Sequence, residues 1–98
     1  MTPRFSLRVS RRCQPLLDRL TAQQREFSQV YARAIEILEQ DPANVSRQHN
    51  ILKLKDTARG DGQWRLRLGR FRFRYDIYER EVLLLYCGLR REDTYRDR

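Results

Sequence analysis

Residues 64–78 read WRLRLGRFRFRYDIY and contain the clearest structural pattern in the sequence. Apolar side chains alternate with polar ones, mostly arginines, on both sides of Gly69. Successive side chains of a strand point to opposite faces, so this period of two predicts two strands, 63–68 and 71–78, each with one apolar and one basic face. A two-residue loop at Gly69 and Arg70, with glycine supplying a positive φ, joins the strands as a hairpin.

This hairpin places like charges opposite each other. A two-residue loop gathers the apolar residues on one face and leaves a second, the arginine face, with two opposed pairs: Arg65 with Arg74, and Arg67 with Arg72. Opposed like charges destabilise a hairpin by a few tenths of a kcal/mol to about 1 kcal/mol per pair. Asp61 is the one acid between positions 59 and 75, so we expect no relief from local pairing. The arginine face therefore predicts an anionic ligand, either phosphate groups or the carboxylates of a partner protein.

The composition indicates one basic domain. At 98 residues the chain suits one modest core, and we interpret 1–98 as a single domain. Its 21 Lys and Arg residues outnumber its 13 Asp and Glu residues, which gives a net charge of +8. Apart from Lys53 and Lys55 every basic residue is arginine, whose rigid fork matches phosphate better than lysine does. This favours recognition of a polyanion over a solvated surface that only keeps the protein dispersed.

The N-terminal half predicts one strand and two helices. Residues 5–9 alternate apolar and polar side chains, as in a half-buried strand. A short helix follows, with three apolar positions: Leu16, Leu17 and Leu20. A longer helix begins with a capping box from Thr21 to Gln24, ends at Asp41, and has an apolar face of six residues: Phe27, Val30, Tyr31, Ala34, Ile35 and Leu38. We therefore expect an α+β fold with two N-terminal helices packed on one face of a small, mostly antiparallel four-stranded sheet.

The last predicted strand, residues 82–87, is apolar on both faces, which is typical of a central strand. Antiparallel pairing with 71–78 through a turn at Arg80 places Gly88 beside Arg72. The chain that follows leaves the sheet at the same end as the hairpin loop. This topology predicts one site from residues distant in sequence: Arg67, Arg72, Arg90 and Tyr95.

Other kinds of site find little support. Cys13 and Cys87 form no CxxC pair, and the sequence contains only one histidine, His49. We therefore predict no disulfide framework, no metal and no cofactor. Cys87 is expected in the core, and His49 in a solvated polar loop. No apolar run approaches the roughly 20 residues of a membrane span, and residues 1–10 lack a signal-peptide core. We expect a cytoplasmic protein with no membrane partner.

Three segments together resemble the RelE/ParE superfamily of bacterial toxin–antitoxin toxins, and specifically its RelE-like branch: WRLRLG at 64–69, RFRFRY at 70–75 and GLRREDTY at 88–95. The resemblance covers nearly the whole chain. It implies the toxin of a type II system, an endoribonuclease that enters the ribosomal A site, cuts the bound mRNA and inhibits translation. It also implies a cognate antitoxin that silences the toxin, with operator DNA contacted only through the antitoxin.

The resemblance implies five catalytic positions: Arg65, Arg67, Arg72, Arg90 and Tyr95. The implied reaction is attack of an mRNA 2′-hydroxyl on its own phosphate, without a metal. The three strand arginines suit neutralisation of the pentavalent phosphate, but a guanidinium with a pKa above about 12 hardly accepts a proton. Tyr95 is the candidate base, since surrounding arginines would lower the phenol pKa from about 10. Arg90 is the candidate for stabilising or protonating the leaving oxygen.

Several alternatives stay open. RelE-like members often have lysine where positions 65 and 67 have arginine, and variable loop length leaves Arg91 as a substitute for Arg90. Glu92 and Asp93 are alternative proton acceptors or members of surface pairs. Further RNA-binding candidates are Lys53, Lys55, Trp64, Arg74 and Arg91. Trp64 also suits the edge of the core, and the two lysines suit exposed strand positions. The alternative functions are a ParE-like inhibitor of DNA gyrase and a non-catalytic basic module that docks an acidic partner.

Overall fold

The computed structural model describes residues 3–89. Within them the chain forms five strands and two helices, in this order: β1 (Ser6–Val9), α1 (Gln14–Gln23), α2 (Phe27–Gln40), β2 (Ile51–Lys53), β3 (Trp64–Leu68), β4 (Phe71–Tyr78) and β5 (Glu81–Leu89). The sheet order is β1-β5-β4-β3-β2; β1 is parallel to β5, and the other neighbours are antiparallel. The predicted α+β class and mostly antiparallel sheet are confirmed.

The described sheet has five strands, so the expected four-stranded sheet is corrected. The additional strand is β2, whose Ile51 lies buried opposite Leu66. Three residues are too few to display a two-residue period, and residues 51–55 mix apolar and basic types without clear alternation. Burial against a neighbour distant in sequence, which no local pattern reports, makes this segment a strand.

The second helix begins later than predicted, at Phe27 rather than at Thr21. Thr21 lies inside α1, where its hydroxyl donates to the Leu17 carbonyl oxygen at 2.7 Å. The capping box is therefore wrong, because Thr21 lies within α1 and the backbone N–H of Gln24 donates to the Leu20 carbonyl oxygen at 2.8 Å. Gln24 ends α1, and α2 begins at Phe27. No helix within residues 3–89 has the length and apolar character needed to cross a membrane.

The core lies between the helices and the apolar face of the sheet. Phe27 of α2 packs against Phe71 and Phe73 of β4, with ring centroids 5.2 Å and 6.2 Å apart. The hydroxyl of Tyr75 donates to the Pro42 carbonyl oxygen at 2.7 Å, and burial raises the pKa of this phenol. Tyr75 therefore stays neutral and structural. The arginines alternate with these core residues and point to the other side of the sheet.

Candidate functional site

The hairpin of β3 and β4 has the predicted register. Its five cross-strand pairs are Trp64–Tyr75, Arg65–Arg74, Leu66–Phe73, Arg67–Arg72 and Leu68–Phe71. Gly69 has a φ of 56° in the turn, a conformation that L side chains rarely adopt. The opposition of like charges across the arginine face is therefore confirmed.

β5 extends the arginine face by one strand. Arg72 lies opposite Gly88, as predicted, and Arg74 lies opposite Tyr86. The face thus has two rows across three strands. The tip row, next to the hairpin turn, contains Arg67, Arg72 and Gly88; the inner row contains Arg65, Arg74 and Tyr86.

A β-bulge in β5 decides which side chains join these rows. Arg74 pairs with Tyr86, but the next residue, Tyr75, pairs with Leu84, so Leu85 is the additional residue. An additional residue in one strand shifts every later side chain to the opposite face. The bulge therefore turns Tyr86 onto the arginine face and Cys87 into the core, where it is 1% exposed. Tyr86 could not be assigned to the arginine face from the sequence, because a regular strand over residues 82–87 places its side chain on the other face.

Arg74, expected to bind RNA, is engaged by its own protein. Its Nε and one terminal nitrogen donate to the Gly62 carbonyl oxygen at 3.1 Å and 2.9 Å, and the same terminal nitrogen reaches the Asp61 carbonyl oxygen at 3.0 Å. Arg65, in the same row, donates to Oδ1 of Asn50 at 3.2 Å. The expectation that nothing local relieves the arginine face is thus corrected: backbone carbonyl and amide oxygens, rather than acids, accept hydrogen bonds from Arg74 and Arg65.

A buried carboxylate holds the loop that binds Arg74. Asp76, which is 0% exposed, accepts backbone hydrogen bonds from Gly60 at 2.7 Å, Gly62 at 3.3 Å and Gln63 at 2.8 Å. A carboxylate surrounded by backbone N–H groups is a common way to satisfy a buried charge. Asp76 therefore fixes the loop before β3 over one end of the arginine face.

The tip row differs because the described part of the chain does not engage its arginines in this way. Within residues 3–89, the Nε of Arg67 is buried without a hydrogen-bond partner. Among the same residues, Arg72 takes part in no ion pair. A nearby arginine, Arg70, is used structurally, since it binds Glu26 at 2.6 Å and joins the hairpin turn to the start of α2. The tip row thus presents two guanidinium groups that are available to a ligand.

The other RNA-binding candidates lie elsewhere. Lys53 and Trp64 are a cross-strand pair, and Nζ of Lys53 lies 5.5 Å from the centroid of the indole ring. Trp64 alternates with Arg65 and packs against the core, so this pair lies on the helix-facing side. Lys55 is exposed beyond the end of β2. The structure does not bring these three residues to the arginine face.

Arg90, Arg91, Glu92, Asp93 and Tyr95 lie outside the described residues. Leu89, the last described residue, lies opposite Phe71 at the hairpin end of the sheet.

The cysteines and the histidine take structural positions. Cys13 and Cys87 are both free and buried, and a hydrogen bond to Cys13, together with burial, raises the pKa of Cys87. Nε2 of His49 lies 3.8 Å from Oδ2 of Asp41, and its side chain is 16% exposed. The expectation that His49 is solvated is therefore wrong, because the loop folds back on Asp41. Residues 3–89 contain no group of three or more His, Cys, Asp or Glu residues that could hold a metal ion.

A similar arrangement of helices and strands occurs in a solved structure. A chain in the crystal structure of the archaeal RelE-RelB complex from Pyrococcus horikoshii OT3 matches this protein with a TM-score of 0.60 and 23% sequence identity. The match covers 94% of this chain and 99% of that chain. The chain has the RelE-like fold. No protein-family model matches the sequence, and no curated protein matches it.

On this RelE-like fold the tip row has a defined chemical capacity. A guanidinium group offers two parallel N–H donors to a phosphate and stays charged at any physiological pH. Arg67 and Arg72 lie opposite each other and are both partly exposed, so one phosphate group can contact both. The arrangement suits binding of a phosphodiester and neutralisation of charge that develops on it.

Proposed function

We propose that this protein is the toxin of a type II toxin–antitoxin system and that it cuts mRNA in the ribosome. The observation that carries the proposal is the tip row: two opposed arginines, not engaged within residues 3–89, on the exposed face of a RelE-like fold. Opposed like charges cost stability unless an anion binds between them. The phosphate backbone of RNA supplies that anion.

In the proposed reaction, the mRNA 2′-oxygen attacks the adjacent phosphorus, and the bond from phosphorus to the 5′-oxygen breaks. The products are a 2′,3′-cyclic phosphate and a free 5′-hydroxyl. Arg67 and Arg72, assisted by Arg65, neutralise the additional negative charge of the pentavalent phosphate. Tyr95 accepts the proton of the 2′-hydroxyl, and Arg90 stabilises or protonates the leaving oxygen. The step uses neither a metal ion nor a cofactor.

The proposal includes a protein partner. The similar archaeal structure is a complex of RelE with RelB, and we infer a cognate antitoxin for this chain as well. An acidic segment of the antitoxin would pair with the arginine face and exclude RNA from it. Contact with operator DNA would then occur through the antitoxin. The site of action is the cytoplasm, where ribosomes translate.

Primer extension on a defined mRNA, with and without ribosomes, tests the proposal. We expect new 5′ ends within codons when ribosomes are present, and their loss in Arg72→Ala and Tyr95→Phe variants that retain the wild-type melting temperature. Arg33→Ala is the control, because Arg33 pairs with Glu36 on the exposed side of α2. Growth arrest without new mRNA ends would overturn the proposed nuclease, and altered DNA supercoiling in the same cells would identify gyrase as the target.

A further inference from the structure

Tyr86 holds an unusual position at the edge of the arginine face. Its side chain is 41% exposed, although it lies in a strand whose other large apolar residues are mostly buried. Its phenol lies over Gly88, two residues further along β5. A Cβ atom built on Gly88 would overlap the Tyr86 hydroxyl and would lie 2.8 Å from Cζ and 3.2 Å from Cε2. Glycine at position 88 therefore provides the space that the phenol occupies.

The phenol lies next to the tip row. Tyr86 is opposite Arg74, and because its side chain extends toward Gly88, its hydroxyl end lies toward the position opposite Arg72. Side chains that are directly opposite on neighbouring strands have Cβ atoms about 5 Å apart. An aromatic ring thus adjoins the arginines proposed to hold phosphate.

Tyr86 also forms a wall of a cleft between β5 and α1. The cleft has a volume of about 340 Å³ and is lined by Arg12, Leu16, Asp61, Arg74, Leu85 and Tyr86. Apolar side chains and an aromatic ring provide surfaces for the faces of a nucleobase, and Arg12 can reach its edge or its phosphate. The bulge at Leu85 makes this cleft, because a regular strand would point Tyr86 into the core.

We propose that Tyr86 is the base-stacking residue of the RNA site. Its ring stacks on an unpaired base of the nucleotide whose phosphate Arg67 and Arg72 hold, and this base occupies the cleft against α1. The inference rests on the proposed function, because it takes RNA to be the ligand of the arginine face. Stacking on an aromatic ring depends little on base identity, so Tyr86 adds affinity and positions the strand without selecting a sequence.

The test uses a short single-stranded RNA that contains one 2-aminopurine and is 2′-O-methylated, so that it binds but cannot be cut. Stacking on an aromatic ring quenches 2-aminopurine fluorescence, and fluorescence anisotropy gives the dissociation constant. We expect Tyr86→Ala to weaken binding on the order of 10- to 100-fold, which is the range for one base–aromatic stack. The same variant should abolish the quenching. Tyr86→Phe keeps the ring and should keep both affinity and quenching.

Gly88→Ala provides a second, independent variant. The added methyl displaces the phenol while leaving Tyr86 in place, and the displaced atoms are the flexible end of a side chain. We expect weaker binding and less quenching, with no further loss when Tyr86→Ala is added to Gly88→Ala. Val45→Ala is the control, because Val45 is 83% exposed in the loop that follows α2. Thermal melts confirm that each variant folds.

The outcomes separate the two hypotheses. Unchanged affinity and quenching in Tyr86→Ala, with RNA binding lost in Arg72→Ala, would overturn the stacking role and leave the proposed function intact. Loss of binding in Tyr86→Phe as well would show that the hydroxyl, rather than the ring, is required, and would also overturn stacking. Failure of the wild-type protein to bind RNA and to cut mRNA on ribosomes would overturn both.

Discussion

Arg67 of β3 and Arg72 of β4 lie directly opposite each other next to the hairpin turn, as a like-charged pair on the arginine face. Elsewhere in residues 3–89, Arg8, Arg33 and Arg70 are each paired with an acid. Arg8 binds Glu81 at 3.2 Å, in a pair that joins β1 to β5. The contrast indicates that the tip row is arranged for a ligand. The Arg8–Glu81 pair also provides a reference for measuring the repulsion between Arg67 and Arg72.

The first prediction concerns that repulsion. A double-mutant cycle of Arg67→Ala and Arg72→Ala, measured by urea unfolding, should give a repulsive coupling of about 0.2–1 kcal/mol. The coupling should fall between about 0.1 M and 1 M NaCl, because the Debye length shrinks from about 10 Å to about 3 Å. The Arg8–Glu81 pair is the control, with coupling of the opposite sign. A coupling near zero at low salt would contradict repulsion across the tip row.

A second prediction follows from the buried carboxylate of Asp76. Asp76→Asn keeps the shape but removes the charge that accepts three backbone hydrogen bonds, so we expect the free energy of unfolding to fall by about 2 kcal/mol. Asp61→Asn is the matched control, since Asp61 lies exposed in the same loop. Urea unfolding measures both. Equal stability of the two variants would show that Asp76 does not hold the loop.

The hairpin could be predicted from sequence because its signals are local. An uninterrupted period of two on both sides of Gly69, with a loop of two residues, determines which side chains are opposite each other. The pairing of Arg67 with Arg72 follows from that pattern alone, and the structure confirms it. The tip row could be predicted from the sequence for the same reason.

The inner row could not be predicted, because its determinants are not local. The bulge at Leu85 reverses the face of Tyr86, and an all-apolar run gives no sign of where an additional residue is accommodated. Asp76 and Arg74 contact loop residues that lie 12 to 16 positions earlier in the chain. No periodicity reports contacts of this kind, so the support that Arg74 gives to the loop could not be predicted.

A third prediction is a pH dependence that originates at Asp41. Its carboxylate accepts hydrogen bonds from the backbone N–H of Val45 at 2.8 Å and from the Ser46 hydroxyl at 2.6 Å, and His49 lies nearby. Burial raises the pKa of Asp41, but the hydrogen bonds from Ser46 and Val45 outweigh it, so the net pKa is lowered. A carboxyl group whose pKa is lower in the folded state stabilises the fold above its unfolded-state pKa of about 3.9.

That stabilisation is lost as the pH falls through the lower, folded-state pKa of Asp41. We therefore expect wild type to exceed Asp41→Asn in free energy of unfolding by a constant amount from about pH 7 to pH 5, and the difference to shrink below about pH 4. Urea unfolding across this range measures it, with Asp61→Asn as the reference. A difference that stays constant down to about pH 2 would exclude the ionised Asp41 carboxylate as its source.

The last prediction separates Arg72 from Arg74, which lie two residues apart on one strand and one face. Arg74 donates to the carbonyl oxygens of Asp61 and Gly62, so Arg74→Ala should cost about 1–2 kcal/mol of stability. Arg72→Ala should change stability by less than about 0.5 kcal/mol.

In the ribosome cleavage assay the order of the two variants should reverse. Arg72→Ala should lose about 100-fold or more, the effect of removing one charge-stabilising donor, whereas Arg74→Ala should lose activity only in proportion to its unfolded fraction. Equal losses of activity per folded molecule would mean that both rows, and not the tip row alone, bind the phosphate.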